Sequence, residues 1–365
     1  MKKIVLFIVF GLSLLLLSGC GVSLKSNETN TSSNVNSNEN PVIAENVISK
    51  FEQTLETPRK CNIYNATIGS ISSESMNEYF FDGKAQKSTD SNDTNVLFDL
   101  DNRHGILSDN GFVFYTDNGN KFDDAASYFL NDPNASLLDN SVEFDFATKE
   151  AAESEIMSFL EQVGLKSEKA IIEQTYSVSK ENFNEYKAYL SKTASAENDA
   201  KIGEQAENVS KIDSEDFYYF DIGFLEDKIP IYSGGAYYYG EGDNDTFAGT
   251  RFTIVYTQNG IEYVSAFFLY QTDSVVESVD IIDFPKAKEL LNDKYENIFF
   301  DSVITFDRAE LVYLPFPQNT LNERFKKFVL RPYYAFYGYQ SAEIDGEPYK
   351  SDFTVYFDAV TGKEL

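Results

Sequence analysis

Short aromatic and β-branched runs, cut by Asp, Asn, Gly and Ser, restrict this chain more than any other feature. Tyr79-Phe80-Phe81, Val96-Leu97-Phe98, Phe112-Val113-Phe114-Tyr115 and Val142 to Phe146 have strand composition, and Ser108-Asp109-Asn110-Gly111 reads as a turn between two of them. Ala170 to Val178 and Asp216 to Phe224 follow, the second continued as a hairpin by Lys228 to Ile231. Arg251 to Thr257 and Ile261 to Gln271 meet at Gln258-Asn259-Gly260. Asn-Gly is the strongest short hairpin signal because both residues tolerate the positive φ of the turn. Further strands are expected near Ile304, at Glu310 to Leu314, Tyr333 to Gln340 and Phe353 to Phe357. Strands this short, joined this tightly, pair antiparallel.

Helical spacing appears between the strands. Ala44, Val47, Ile48, Phe51 and Leu55 share a helical face, with Pro41 ahead and Pro58 beyond. Thr148 is placed to cap a helix carrying Ala152, Ile156, Phe159, Leu160 and Val163, which Gly164 closes. Ser179 caps a polar helix reaching about Leu190, and the Ala-, Ser- and Glu-rich stretch 191–211 reads as a mobile connection. Pro285 opens a helix with Ala287, Leu290, Leu291 and Tyr295 on one face. The expected fold class is α+β, with antiparallel sheets each packed with amphipathic helices.

The N-terminus is an address. Met1-Lys2-Lys3 is a positive start, Ile4 to Leu17 is almost wholly apolar, and small residues precede Cys20. This is the layout of a secretory signal peptide. The apolar run falls short of the roughly 20 residues a spanning helix needs. Leu17-Ser18-Gly19-Cys20 resembles the bacterial lipobox. That resemblance implies cleavage before Cys20 and a diacylglyceryl group on its sulfur, which holds the chain on the outer face of the cytoplasmic membrane. Stable attachment takes two acyl chains. Gly21 to Asn40 is Ser-, Asn- and Thr-rich and reads as a flexible tether.

Composition removes several functions. The formal net charge is −29. Such a field repels phosphate backbones, so a nucleic acid partner is not expected. The partners expected instead are the membrane, through lipid on Cys20, and a protein or peptide outside the cell. With Cys20 lipidated, Cys61 has no disulfide partner. The single histidine, His104, sits in Asn102-Arg103-His104-Gly105, which reads as a turn. A Cys61/His104 pair would be a nucleophile and its base; the plainer reading is a buried cysteine and a turn histidine. A multi-histidine metal site cannot be built, and there is no phosphate loop, dinucleotide fingerprint or nucleophile elbow. No cofactor, metal or catalytic residue is assigned. Asp243-Asn244-Asp245, Asp123-Asp124 and Asp99 with Asp101 are carboxylate pairs, but none has EF-hand spacing, and they read as acidic turns. Tyr237, Tyr238 and Tyr239, between Gly235 and Gly240, are the binding candidates, since tyrosines on a Gly-rich loop make adaptable contacts. The alternative is that they alternate into the core from a strand edge.

Phe144 to Leu165 and Val279 to Ile298 share an order of strand, cap and helix, and each leads on to an aromatic strand. In the second copy, Glu310 to Pro315, Leu330 to Phe336 and Val355 to Lys363 resemble PepSY-type modules. They are especially similar to the tandem arrangement in the YycH/YycI accessory regulators of Gram-positive sensor kinases. The closing Asp358-Ala359-Val360-Thr361-Gly362 supplies the turn after an edge strand. The resemblance implies tandem PepSY-like units in the C-terminal two-thirds and a non-catalytic role. The expected divisions are a signal peptide at 1–19, the lipidated cysteine and tether at 20–41, a helix-plus-sheet region at 42–145, and PepSY-like units at 146–278 and 279–365. The expected function is a membrane-anchored extracytoplasmic binding or regulatory module, acting on a sensor kinase or a protease. The alternatives are a surface hydrolase using paired carboxylates and a solute-capture lipoprotein. A pocket with two facing carboxylates of raised pKa favours the hydrolase. A shallow groove or exposed sheet edge, with Tyr237 to Tyr239 at its rim, favours the binding module.

Overall fold

The computed structural model describes residues 42–365 apart from 45–46, 52–53, 92–93, 133–134, 198–199, 235–236, 239–246, 297–301, 319–326 and 345–346. The signal peptide, Cys20, the tether, Tyr239 and Asp243 to Asp245 lie outside the described residues. For Tyr237 and Tyr238 the backbone alone is described.

The chain begins with β1 (Val42–Ala44), β2 (Val47–Ser49), β3 (Lys60–Gly69), α1 (Ser73–Phe81), β4 (Gln86–Thr89), β5 (Val96–Leu100), β6 (Arg103–Ser108) and β7 (Gly111–Thr116). Then come α2 (Gly119–Asn131), α3 (Lys149–Gln162), β8 (Ala170–Val178), α4 (Lys180–Glu197), α5 (Ala200–Ser210), β9 (Phe217–Glu226) and β10 (Ile229–Ile231). β11 (Tyr237–Tyr238), β12 (Phe247–Ala248), β13 (Arg251–Thr257), β14 (Gly260–Phe267) and β15 (Leu269–Asp280) follow. The last elements are α6 (Phe284–Tyr295), β16 (Val303–Pro317), β17 (Lys327–Ile344) and β18 (Glu347–Asp358). No helix among the described residues is long and apolar enough to cross a membrane.

Two compact units interleave along the chain. Among the described residues, one holds those from Val42 to Arg59 with Asp280–Leu311 and Tyr333–Leu365; the other holds Lys60–Val279 with Val312–Pro332. β16 and β17 each contribute to both.

The larger unit is built on strands β15, β3, β17, β16, β10, β9, β13, β14, β7, β6, β5 and β4, in that hydrogen-bonded order, with β8 also on β9. Its centre follows from the alternation of side chains along a strand. Phe112 and Phe114 of β7 point to one face, where Phe80 of α1 stacks on Phe114 at 4.1 Å and meets Phe159 of α3 at 5.6 Å. Val113 and Tyr115 point to the other, as do Phe217 and Tyr219 of β9. There they pack with Phe122, Ala125, Ala126 and Phe129 of α2, Phe183, Tyr186 and Leu190 of α4, and Val209 of α5. The unit thus has helices on both faces of its sheet.

The smaller unit pairs the start of the chain with its end. β2 runs parallel to β16, with Val47 opposite Ile304. β17 and β18 form a long antiparallel ribbon from Tyr333–Asp358 to Ile344–Glu347. α6, capped by Asp283 on the Lys286 amide at 2.9 Å, buries Phe284 against Phe51 and Phe336. The turn after β18 has the expected form: the Asp358 carboxylate accepts from the amides of Val360 and Thr361 at 2.8 Å, and Gly362 has φ +73°.

This architecture overturns the expected fold class of tandem units on separate antiparallel sheets. Among the described residues the strands join one mixed sheet of 16 strands, with six helices. β2 with β16 and β10 with β16 pair in parallel. Parallel pairs unite stretches far apart in sequence, which a repeat of two consecutive self-contained units cannot do. The expected boundary at 145/146 falls inside the larger unit, because β14 pairs with β7 along Tyr263–Tyr115 to Phe267–Gly111.

Local readings are corrected too. The helix expected at Ala44 to Leu55 is the β1–β2 hairpin, since the β-branched Val47 fills a fully buried slot beside β16. Tyr79-Phe80-Phe81 is the end of α1, capped by Ser72 and closed by Asp82 and Gly83 at positive φ. Val142 to Phe146 is not a strand; it carries an isolated bridge from Phe144 to Ala147. The stretch 191–211 is mostly helical in α4 and α5. His104 lies within β6 rather than in a turn.

Candidate functional site

α2 starts where the Thr116 hydroxyl accepts from the Gly119 amide at 2.9 Å. One side of the helix goes into the core through Phe122, Ala125, Ala126 and Phe129. The next stripe, Asp124, Tyr128 and Asp132, recurs every fourth residue and therefore shares a face. α4 sets Tyr186 and Tyr189 beside that stripe, and α5 adds Ile202 and Gln205. Together they line an open groove of about 710 Å³, with Ser127, Asn131, Leu190 and Thr193 completing it.

Tyrosines dominate the groove wall. The rings of Tyr128 and Tyr189 lie 4.4 Å apart at 31°, and those of Tyr128 and Tyr186 lie 5.5 Å apart. Gln205 donates to the Tyr186 hydroxyl at 3.1 Å and fixes that ring, while Tyr189 is 37% exposed. The potential there is negative. The Tyr128 phenol is pushed up by burial first, then by Glu185 and Asp132. Tyr186 is raised the same way, with Asp124 the largest charge acting on it. Asp124 itself is raised by burial, and Lys121, 3.5 Å away, opposes the shift.

A second group of carboxylates lies deeper. Asp123, one residue along α2, is 8% exposed, and its Oδ1 makes no hydrogen bond. Burial pushes Asp123 up to about 6; Arg251 and the hydroxyls of Tyr263 and Tyr219 act against the shift. Asp221 on β9 is pushed to about 7 by burial and by Glu173, again opposed by Arg251. Neither carboxyl lines the groove. A second hollow, between Leu165, Phe224, Ile231 and Leu269, is about 20 Å³. That is room for about one water.

The residues singled out from sequence do not converge on this groove. Tyr237 and Tyr238 form β11, paired antiparallel with Ala248 and Phe247 in a separate two-stranded ladder. Cys61 is buried and free, and burial with the nearby Asp227 raises its thiol to about 11. His104 instead bridges Asp99 at 2.9 Å and Asp117 at 3.2 Å. A thiol held protonated, with the imidazole engaged by two carboxylates, is not an activated nucleophile. No cluster of metal-ligating side chains occurs among the described residues. The groove tyrosines escaped notice because 191–211 read as a connection and α2 was hidden in a strand-rich stretch. The signal was available in the fourfold spacing of Asp124, Tyr128 and Asp132.

No protein-family model matches the chain, and no curated protein matches it. Among solved structures, an uncharacterised protein from Eubacterium rectale is similar in fold, with a TM-score of 0.61 and 14% identity over 89% of this chain and 92% of that one. A likeness at that identity is one of fold alone. The PepSY resemblance rests on the motif residues quoted above.

Proposed function

We propose that the protein is a lipid-anchored extracytoplasmic binding module that works without catalysis, and that the groove between α2, α4 and α5 is its site. The observation that carries the reading is the separation of two features. The open, tyrosine-lined groove is one, and the carboxylates of raised pKa, Asp123 and Asp221, are shut away from it. A hydrolase needs such carboxyls beside its substrate. Tyrosines give large contact area at low conformational cost, which suits a protein or peptide partner. The resemblance to kinase accessories extends the reading to regulation of a membrane sensor or a protease.

Two experiments test its parts. The parent protein will take up radiolabelled palmitate and Cys20→Ala will not; a parent without label, or a variant that keeps it, removes the lipid anchor from the proposal. A photo-crosslinking amino acid at Tyr189 will give a discrete adduct in living cells. The same group at Leu137, which is 65% exposed and outside the groove, will not. Equal labelling at both positions, or none, would count against the groove as the site.

A further inference from the structure

Resting on that reading of the groove, we infer that it receives the cationic side chains of a basic peptide segment rich in lysine or arginine. Among the described residues, its lining holds two carboxylates and three tyrosines but no lysine or arginine. Three nearby lysines are already engaged, one of them by a groove carboxylate. Lys187 donates to the Ile212 carbonyl, and Lys211 pairs with Glu207 at 2.8 Å. Lys121 reaches Asp124 at 3.5 Å from outside the lining.

The rest of the protein shows what its tyrosines do when a cation is at hand. In the smaller unit Arg308 lies 3.7 Å from the centroid of the Tyr337 ring, and Lys350 lies 4.1 Å from that of Tyr339. Among the described residues no such cation covers Tyr128 or Tyr189. Tyr128 and Tyr189 cover each other at 4.4 Å, so the exposed part of Tyr189 is the ring surface left for a cation, beside the carboxylates of the lining. A cation gains there from the ring quadrupole and the carboxylates together.

Spacing favours a chain over a small amine. Four residues of helix rise about 6 Å, the interval between Asp124 and Tyr128 on α2, and Asp132 follows at the end of that helix. Alternate residues of an extended peptide are about 6.6 Å apart on one face. Successive same-face lysines can thus meet successive groups of the stripe. A small-molecule site encloses most of its ligand, and this groove is open along its length.

The test uses the full-length protein in detergent and a short peptide of alternating lysine and serine, followed by calorimetry. Acetylating the lysines will weaken binding by roughly tenfold or more, since a lost charged contact of about 1.4 kcal/mol is one decade. Tyr128→Leu with Tyr189→Leu will do the same at unchanged net charge, whereas Tyr189→Phe will retain binding. Asp124→Asn with Asp132→Asn will weaken it, while the charge-matched Glu168→Gln with Glu277→Gln on exposed positions away from the groove will not. Equal losses from both charge pairs would mean that the peptide senses only the overall negative field, and the inference fails. Failure of the lysine peptide to bind, with the Tyr189 crosslink intact, overturns the cationic ligand and leaves the binding module. Failure of both removes both.

Discussion

Phe122→Ala will lower the stability of the larger unit by about 3–5 kcal/mol, the range for truncating a buried aromatic. Phe122 is fully buried, with ring centroids 5.1 Å from Phe183 and 4.9 Å from Phe217. It touches α4 and β9 at once. The loss will sit toward the upper end, because the site has little freedom to collapse. Just before it in α2, Gly119 is pressed so closely on β14 that an added Cβ would lie 2.0 Å from the Glu262 carbonyl oxygen. Urea unfolding followed by tyrosine emission will measure the change, since the chain has 24 tyrosines and no tryptophan. With two compact units a single transition cannot be assumed, so amide exchange in α2 assigns the loss. A shift below about 1 kcal/mol would mean that α2 is not seated as described. The groove depends on the same seat, because Tyr128 and Asp124 ride on α2.

Strand positions were the most legible part of the sequence. The Asn259-Gly260 turn and the strand before it are found where the residues put them, because their determinants are local, whereas the strand expected at Ile261 to Gln271 breaks at Phe268, at φ +56°, into β14 and β15. α3 is also in place, with Thr148 as its cap, and α6 begins at Phe284, one residue before the expected Pro285, with Asp283 as its cap. The failures share one cause. Val47 and Ile48 fit either a helix face or a strand, and the choice was made by a place beside β16, contributed from the far end of the chain. Tyr79 to Phe81 likewise look like a strand until Phe159 and Phe114 supply a helix-sized pocket for them. Pairings of that range leave no local mark. Others were readable and missed: Phe122, Ala125, Ala126 and Phe129 have helical spacing, and 200–210 is composed largely of helix formers. The internal echo is present only in part: α6 follows strand β15, whereas α3 follows an isolated bridge and no strand.

Raising the pH from the acid range to neutrality will destabilise the larger unit, and Asp123 and Asp221 are the reason. Both carboxyls are held above the ordinary aspartate value, at about 6 and about 7, chiefly by burial. The folded chain therefore binds more protons than the unfolded chain between about pH 4 and these values. Stability falls with pH wherever the native state holds the extra protons. The contribution is full below the unfolded pKa of about 3.9 and is lost as pH rises through 6 to 7. Glu262, raised by its own burial, acts in the same direction. Each full pKa step is worth about 1.4 kcal/mol. Arg251 tempers both aspartates and Asp221 is only partly enclosed, so about 2 kcal/mol for the pair is the expected size. Asp90 works the other way: hydrogen bonds from Thr94 and Asn95 hold it near 2, so its contribution is present above the unfolded value and disappears only in stronger acid. The midpoint of urea unfolding should then peak in mild acid and decline toward neutral pH. A net charge of −29 adds a general repulsion with the same trend, so the assignment rests on a variant. Asp123→Asn with Asp221→Asn removes both titrations while keeping polar groups for Arg251, Tyr219 and Tyr263. The double variant will be more stable than the parent at neutral pH and will show a flatter profile from pH 4 to 8. If its profile runs parallel to the parent's, the decline belongs to the overall charge and not to these two carboxyls.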